Sequence, residues 1–202
     1  MKSLGGPALS GHDRLVDSYL VTERLVLRRF TADDAELLIE LDSDPAVMRY
    51  LSGGEPTAPD VIRERYLPNI LAGYEKWDGD FGLFAAHEKD GGAFIGWFIL
   101  RPAPDGPLDE VELGYRLRRA SWGKGYATEG SRGLLHKAFT QLGVRMVWAD
   151  TMTVNRGSRK IMEKVGMSFV GSVPLPADMV MIDGAEHGGV RYETTKEQWE
   201  RQ

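Results

Sequence analysis

The sequence predicts an α+β fold: a mixed, mainly antiparallel sheet with one central parallel strand pair, flanked by helices. Two observations carry this. Phe81 to His87 and Phe94 to Leu100 are apolar runs joined by Asp90-Gly91-Gly92, which is a hairpin signature. Glu110 to Leu117 reads as a strand, Gly130 to Gln141 as a helix and Val144 to Thr151 as a second strand. A strand, a helix and a strand in that order require a crossover, so these two strands pair in parallel.

The elements follow in chain order. Residues 1–14 contain Gly5, Gly6, Pro7 and Gly11 and lack the apolar core of a secretory signal; they are read as a flexible leader. One domain is expected over residues 20–200. Glu23 to Phe30, rich in Leu and Val, is the first strand. Thr31 is an N-cap with Asp33 and Asp34 in the first turn, opening a helix through Leu37, Leu38 and Leu41. Asp44 caps a second helix with Pro45 at its first position. A third helix starts near Thr57 to Asp60 and runs toward Trp77, with a break or kink expected near Pro68. Arg101 to Asp109 is a Pro-containing loop. Ser158 to Val165 is a helix stopped by Gly166 as its C′ glycine. Met167 to Val173 and Val190 to Thr195 close the sheet.

Composition narrows the function. The chain has 202 residues, 42% of them apolar, which fits one well-buried domain. It has no Cys, which removes disulfides, thiolate metal sites and a Cys nucleophile and is compatible with the cytoplasm. His12, His87, His136 and His187 lie far apart without ligand spacing, so no metal is expected. The net charge of -5 argues against nucleic-acid binding. No stretch is apolar enough for a membrane span. Association as a homodimer is left open.

Between the 110–117 strand and the following helix lies Trp122-Gly123-Lys124-Gly125-Tyr126-Ala127-Thr128-Glu129. A flexible loop at a helix N-terminus aims several backbone N–H groups at one spot, and the helix dipole makes that spot suit phosphate oxygens. The small residues Gly123, Gly125 and Ala127 allow close approach. A P-loop would place a hydroxyl after the lysine, where Gly125 stands. A dinucleotide loop would need a third small residue at Thr128, although Asp150 stands near the spacing of the ribose-binding acid.

What remains resembles the acyl-CoA pyrophosphate loop of the GNAT N-acetyltransferases, [Gln/Arg]-x-x-Gly-x-[Gly/Ala], with Trp122 departing at the first position. Trp-Gly-Lys-Gly-Tyr-Ala-Thr-Glu is similar to the Rim-type branch, which contains ribosomal-protein N-terminal acetyltransferases. Glu23-Arg24-Leu25, Leu27-Arg28, Asp44-Pro45-Ala46-Val47, Asn155-Arg156-Gly157-Ser158, Glu163 to Met167 and Arg191-Tyr192-Glu193 add to it. The resemblance implies an acetyl-CoA-dependent N-acetyltransferase with a GNAT domain over residues 20–200. It implies attack on the thioester by an amine: a protein N-terminus, or a small amine such as a polyamine, amino acid or aminoglycoside. The rival is an acyl-CoA-binding module without catalysis.

Site residues follow from both lines. An attacking amine must shed its proton; an α-amine, titrating near roughly 8, needs less help than a lysine near roughly 10.4. On the 110–117 strand, Glu110, Glu112, Gly114 and Arg116 share one face and Val111, Leu113 and Tyr115 the other. Glu112 is the general-base candidate, with a structural ion pair as the alternative. Gly114 leaves space for an acyl group. Many GNAT members carry a Tyr after the Asn segment that protonates the thiolate; here that position is Met162, read as core. In the Rim-type branch the residue matching Ser158 is a proposed proton donor; a helix-start hydroxyl or CoA contact is the alternative. The resemblance makes Asn155 a pantetheine contact, against an ordinary turn Asn, and makes Leu117 and Arg118 backbone partners of pantetheine. Arg118, Arg119, Lys124 and Arg159 are phosphate candidates. Tyr50, Trp77, Trp97 and Tyr115 are candidates for an acceptor pocket.

Overall fold

The computed structural model describes residues 18–202, so the leader expected over 1–14 lies outside the described residues. Eight strands form one sheet: β1 (Ser18–Val21), β2 (Leu25–Arg29), β3 (Gly82–Glu88), β4 (Phe94–Pro102), β5 (Glu110–Leu117), β6 (Met146–Met152), β7 (Ser168–Val173) and β8 (Gly189–Thr195). Their spatial order is β1-β2-β3-β4-β5-β6-β8-β7. The β5–β6 pair is parallel, and every other neighbouring pair is antiparallel.

Helices cover both faces of the sheet. On one face lie α1 (Ala35–Asp42), α2 (Pro45–Ser52) and α3 (Leu67–Lys76); on the other lie α4 (Tyr126–Gln141) and α5 (Arg156–Lys164). Asp42 of α1 pairs with Arg116 on β5, which marks the first face. Gly130 of α4 marks the second, because a Cβ there would sit 2.3 Å from the Phe98 ring. Only glycine lets this helix approach β4 so closely. Strands β3 and β4 are sandwiched, which is why they read as nearly unbroken apolar runs rather than alternating ones. Phe84, Phe98 and Leu100 are fully buried. Truncating a phenylalanine in such a core costs about 3–5 kcal/mol.

Local chemistry sets the element ends. The Asp34 carboxylate accepts from the Thr31 N–H at 2.8 Å and from both Arg28 nitrogens. The Asp44 carboxylate accepts from the Ala46 N–H at 2.9 Å and opens α2. Gly166, at φ +86°, ends α5; its N–H donates to Glu163 O and that of Met167 to Met162 O, a Schellman pair.

Three sequence readings change. β1 exists, pairing antiparallel with β2 through the Thr22 turn. Helix α4 starts at Tyr126, four residues before the Gly130 expected from the sequence; residues 126–129, which read as part of the glycine loop, form its first turn, and Gly130 and Gly133 serve packing. The kink expected near Pro68 takes the form of a π-helical segment, Ile62–Tyr66, immediately ahead of α3. Proline lacks an N–H and crowds the carbonyl four residues back, and a widened turn relieves both problems.

Candidate active site

The parallel pairing of β5 and β6 is short: Glu110 with Met146, Val111 with Val147 and Glu112 with Trp148. Beyond that point β5 stays paired with β4 up to Leu117, while β6 continues along β8 to Met152. The two strands part and leave a wedge between backbone edges that no strand fills. The Arg118 N–H donates to Ile95 O at 2.9 Å. Antiparallel alternation therefore turns the backbone groups of Leu117 away from β4 and toward the wedge. The Leu117 carbonyl receives the Trp122 indole N–H at 2.8 Å, which leaves the Leu117 N–H facing the gap.

The glycine loop stands at the end of this wedge. Gly123 and Gly125 have φ of +74° and +84°, conformations that side chains resist. Gly125 is the N-cap of α4, and no side chain caps the helix. The N–H groups of Tyr126, Ala127 and Thr128 are therefore orphan donors. A Cβ on Gly123 would meet nothing within 4 Å, so the loop is open above.

A clamp holds the loop from below. Arg24 donates from Nε to Glu129 at 2.7 Å and from Nη1 to the Lys124 carbonyl at 3.0 Å, and lies over the Tyr126 ring at 4.8 Å. The other Glu129 oxygen accepts from Thr22 Oγ1 at 2.6 Å and from the Arg24 N–H at 2.7 Å. Burial opposes ionisation of Glu129, but hydrogen bonds from Thr22 and Arg24 outweigh it and hold the carboxyl below 4.5. The Tyr126 hydroxyl donates to Glu88 at 2.8 Å.

Strand β5 presents different chemistry on each face. Glu112 accepts from Arg101 Nε at 3.2 Å and has Trp148 as its partner on β6. Arg191 stacks over Trp148 at 4.3 Å and forms a two-point ion pair with Asp150 at 2.8 and 2.7 Å. Asp150, the residue at dinucleotide-acid spacing, is spent there. Tyr66 stands near Arg116, Asp42, Arg101 and Glu112; burial pushes its phenol up. Behind Gly114 there is no vacancy for an acyl group, because a Cβ would meet the Ile99 side chain at 2.7 Å. On the opposite face the Tyr115 hydroxyl lies 3.1 Å from Ser158 Oγ and 3.2 Å from Ser158 O. Glu112 and Ser158 thus approach the wedge from opposite sides of the sheet.

Asn155 is the N-cap of α5: its Oδ1 accepts from the Ser158 N–H at 3.2 Å and its Nδ2 donates to Thr151 at 3.1 Å. The helix-start role weighed for Ser158 therefore belongs to Asn155. Met162 is buried at 3% exposure, among core residues. The guanidinium of Arg118 is tied to Glu40 and the Phe94 carbonyl, and that of Arg159 to Tyr192 and the Thr153 carbonyl. Besides Arg24, the exposed Lys124 lies in the loop and the exposed Arg119 precedes it. The four aromatics do not share one face: Trp97 lies on the Arg116 face and Tyr115 on the other, Trp77 ends α3 with Lys76 Nζ over its ring, and Tyr50 lines a cavity of about 290 Å³ with Arg49, Val154, Asp183, Glu186 and His187.

The Arg24–Glu129 clamp and the Tyr115–Ser158 pair escaped the sequence reading, since each joins residues far apart in the chain. The Glu23-Arg24-Leu25 run and Glu129 at the end of the loop motif carried the two halves of the first. Among the described residues no group of His, Asp or Glu side chains is placed to hold a metal, and no helix is long and apolar enough to cross a membrane.

Residues 24–168 match the acetyltransferase (GNAT) domain. The chain is 35% identical over 193 residues to FsC-acetyl coenzyme A-N(2)-transacetylase of Aspergillus fumigatus, spanning 90% of this chain and 78% of that protein. It is 28% identical over 188 residues to YdaF of Bacillus subtilis, which is named as a ribosomal N-acetyltransferase, spanning 89% and 96%. The fold is shared with the ribosomal-protein acetyltransferase RimL in complex with coenzyme A, at a TM-score of 0.72 and 14% identity over 87% of this chain and 96% of that one.

Proposed function

The chain belongs to the GNAT acetyltransferase family, and from that premise we propose that it is of the Rim-type branch and moves the acetyl group of acetyl-CoA onto a primary amine, on a protein N-terminus or a small molecule. One observation carries the reading: the wedge that opens past Glu112 and Trp148 leads to an uncapped helix N-terminus. Acetyl-CoA fits these residues. The N–H groups of Gly123 to Thr128 offer donors to its pyrophosphate, with Trp122 fixing the loop through Leu117 and Lys124 adding charge. The Leu117 N–H offers a partner to the amide-bearing arm, and Asn155 borders the same wedge; the backbone contact expected of Arg118 does not hold, because its N–H is spent on Ile95 O and its carbonyl on the Ser121 N–H. Acetyl-CoA supplies the activated acyl thioester.

The chain's own residues then do three things. Glu112 accepts the proton of the incoming ammonium, directly or through water, since only the neutral amine attacks. The open backbone edge of β5 binds and orients the thioester arm beside it. Ser158, on the far side of the sheet, faces the leaving sulfur. Steady-state thiol release from acetyl-CoA across a panel of small amines and N-terminal peptides tests this. A product heavier by one acetyl group, with matching free thiol, is expected for at least one acceptor. No thiol release with any of them would count against the proposal.

A further inference from the structure

We propose that Tyr115 is a positioning residue for the departing thiolate, acting through the hydroxyl of Ser158; the inference rests on Ser158 serving the sulfur. Tyr115 belongs to β5, one arm of the wedge, and Ser158 to α5, which follows β6, the other arm. Their contact spans the gap: Oη lies 3.1 Å from Ser158 Oγ and 3.2 Å from Ser158 O. Where many relatives are expected to carry a phenol on α5, this chain has the buried thioether of Met162, which has no proton to give. Tyr115 brings a phenol from β5 instead. Asn155 takes over the capping of α5, so the Ser158 hydroxyl is not needed for the helix end.

The hydroxyl inventory decides what the pair can do. Tyr115 has one proton, and Ser158 has one proton and two lone pairs. The single Tyr115 proton has two acceptors, Ser158 O at 3.2 Å and Ser158 Oγ at 3.1 Å; when it goes to Oγ, the Ser158 proton is left to turn into the wedge. Burial pushes the Tyr115 phenol up to about 12, with the Ser158 hydrogen bond acting the other way. A free thiol titrates at roughly 8.5, so this phenol does not surrender its proton to a thiolate. The pair therefore acts as two hydrogen bonds in series, Tyr115 to Ser158 and Ser158 to sulfur. The acyl C–S bond breaks with its electron pair going to sulfur. No O–H bond breaks at either residue, and the proton that ends on sulfur comes from solvent.

Tyr115→Phe keeps the ring that packs on Phe98 and removes the donor. We expect kcat to fall about 10-fold with the acetyl-CoA KM within about twofold, because the bond strengthens in the transition state. Ser158→Ala should lower kcat by at least as much, and the double variant no further than Ser158→Ala alone. Normal kcat in Tyr115→Phe with a slow Ser158→Ala would overturn the Tyr115 role and leave that of Ser158. Multiplicative losses in the double variant would overturn the coupling. Normal kcat in both, with acetyl transfer intact, would remove Ser158 from the reaction and this inference with it. Should Tyr115→Phe fold poorly, 3-fluorotyrosine at 115 keeps the ring and donates more strongly. A raised kcat would then support the proposal, and an unchanged kcat would overturn it.

Discussion

Glu129→Gln tests whether the clamp beneath the glycine loop shapes the phosphate site. The Glu129 carboxylate takes donors from Thr22 Oγ1, the Arg24 N–H, Arg24 Nε and Arg24 Nη2 within 2.6 to 2.7 Å. Gln keeps the size but turns one acceptor into a donor facing a guanidinium. Arg24 is 44% exposed, so the ion pair itself contributes no more than about 1 kcal/mol. The broken hydrogen bonds to a largely buried side chain add about 1 kcal/mol more. A loss of about 2 kcal/mol in a chain of this length lowers Tm by roughly 4–8 °C. Arg24, which anchors the loop at the Lys124 carbonyl, is no longer held in place by the carboxylate, so the acetyl-CoA KM should rise about 10-fold with kcat nearly unchanged. Differential scanning fluorimetry with and without acetyl-CoA reads both effects, because ligand binding stabilises by mass action. The pH dependence has a defined sign. The folded carboxyl sits below the ordinary 4.5, so its contribution is present above about pH 4.5 and fades as pH falls through the folded value. Wild type and variant should differ at pH 6 and converge as pH falls through the folded value. An unchanged KM and ligand-induced Tm shift in Glu129→Gln would refute the loop-shaping role, leaving the clamp as a tie between the β1–β2 turn and α4.

Other perturbations follow from the same geometry. Gly125→Asp places a Cβ 3.3 Å from Arg24 Nη2 at φ +84°, which costs roughly 1 kcal/mol of strain; the fold should survive while acetyl-CoA no longer raises Tm. Glu112→Gln keeps shape and removes basicity, so kcat should fall roughly 10²-fold or more with acetyl-CoA affinity held; near-normal turnover would reduce Glu112 to the partner of Arg101. Gly130→Ala drives a methyl group into the Phe98 ring and should cost about 1–3 kcal/mol in urea denaturation; a neutral result would mean that α4 shifts freely on β4.

What the sequence made legible follows from how local each signal is. The 81–100 hairpin, the Asp44-Pro45 start and the Gly166 stop each depend on a few adjacent residues, and the structure places β3, β4, α2 and the end of α5 there. The crossover rule fixes the parallel pairing of β5 and β6 without any knowledge of packing. The N-terminus of α4 is placed late by the sequence because residues 126–129 read with the glycine loop, and Gly130 inside the helix is explained only once Phe98 is known to lie against it. The wedge itself was not legible: no residue type announces where two strands part. The same holds for ion pairs and hydroxyl pairs across long sequence separations, Arg24 with Glu129 and Tyr115 with Ser158. Gly114 misled in the opposite direction, since the space a missing side chain leaves is filled by Ile99 from the neighbouring strand.

The central claim is that the wedge beyond Glu112 delivers an acetyl group to a nitrogen. The most direct test incubates the protein with isotopically labelled acetyl-CoA and a pooled set of small amines and N-terminal peptides. Mass spectrometry then locates the label while free thiol is counted in the same sample. The account predicts label on an amine nitrogen of at least one acceptor, in equal amount to the thiol released, and loss of both in Glu112→Gln. Thiol released without labelled amine, or labelled amine formed equally well by Glu112→Gln, would contradict it.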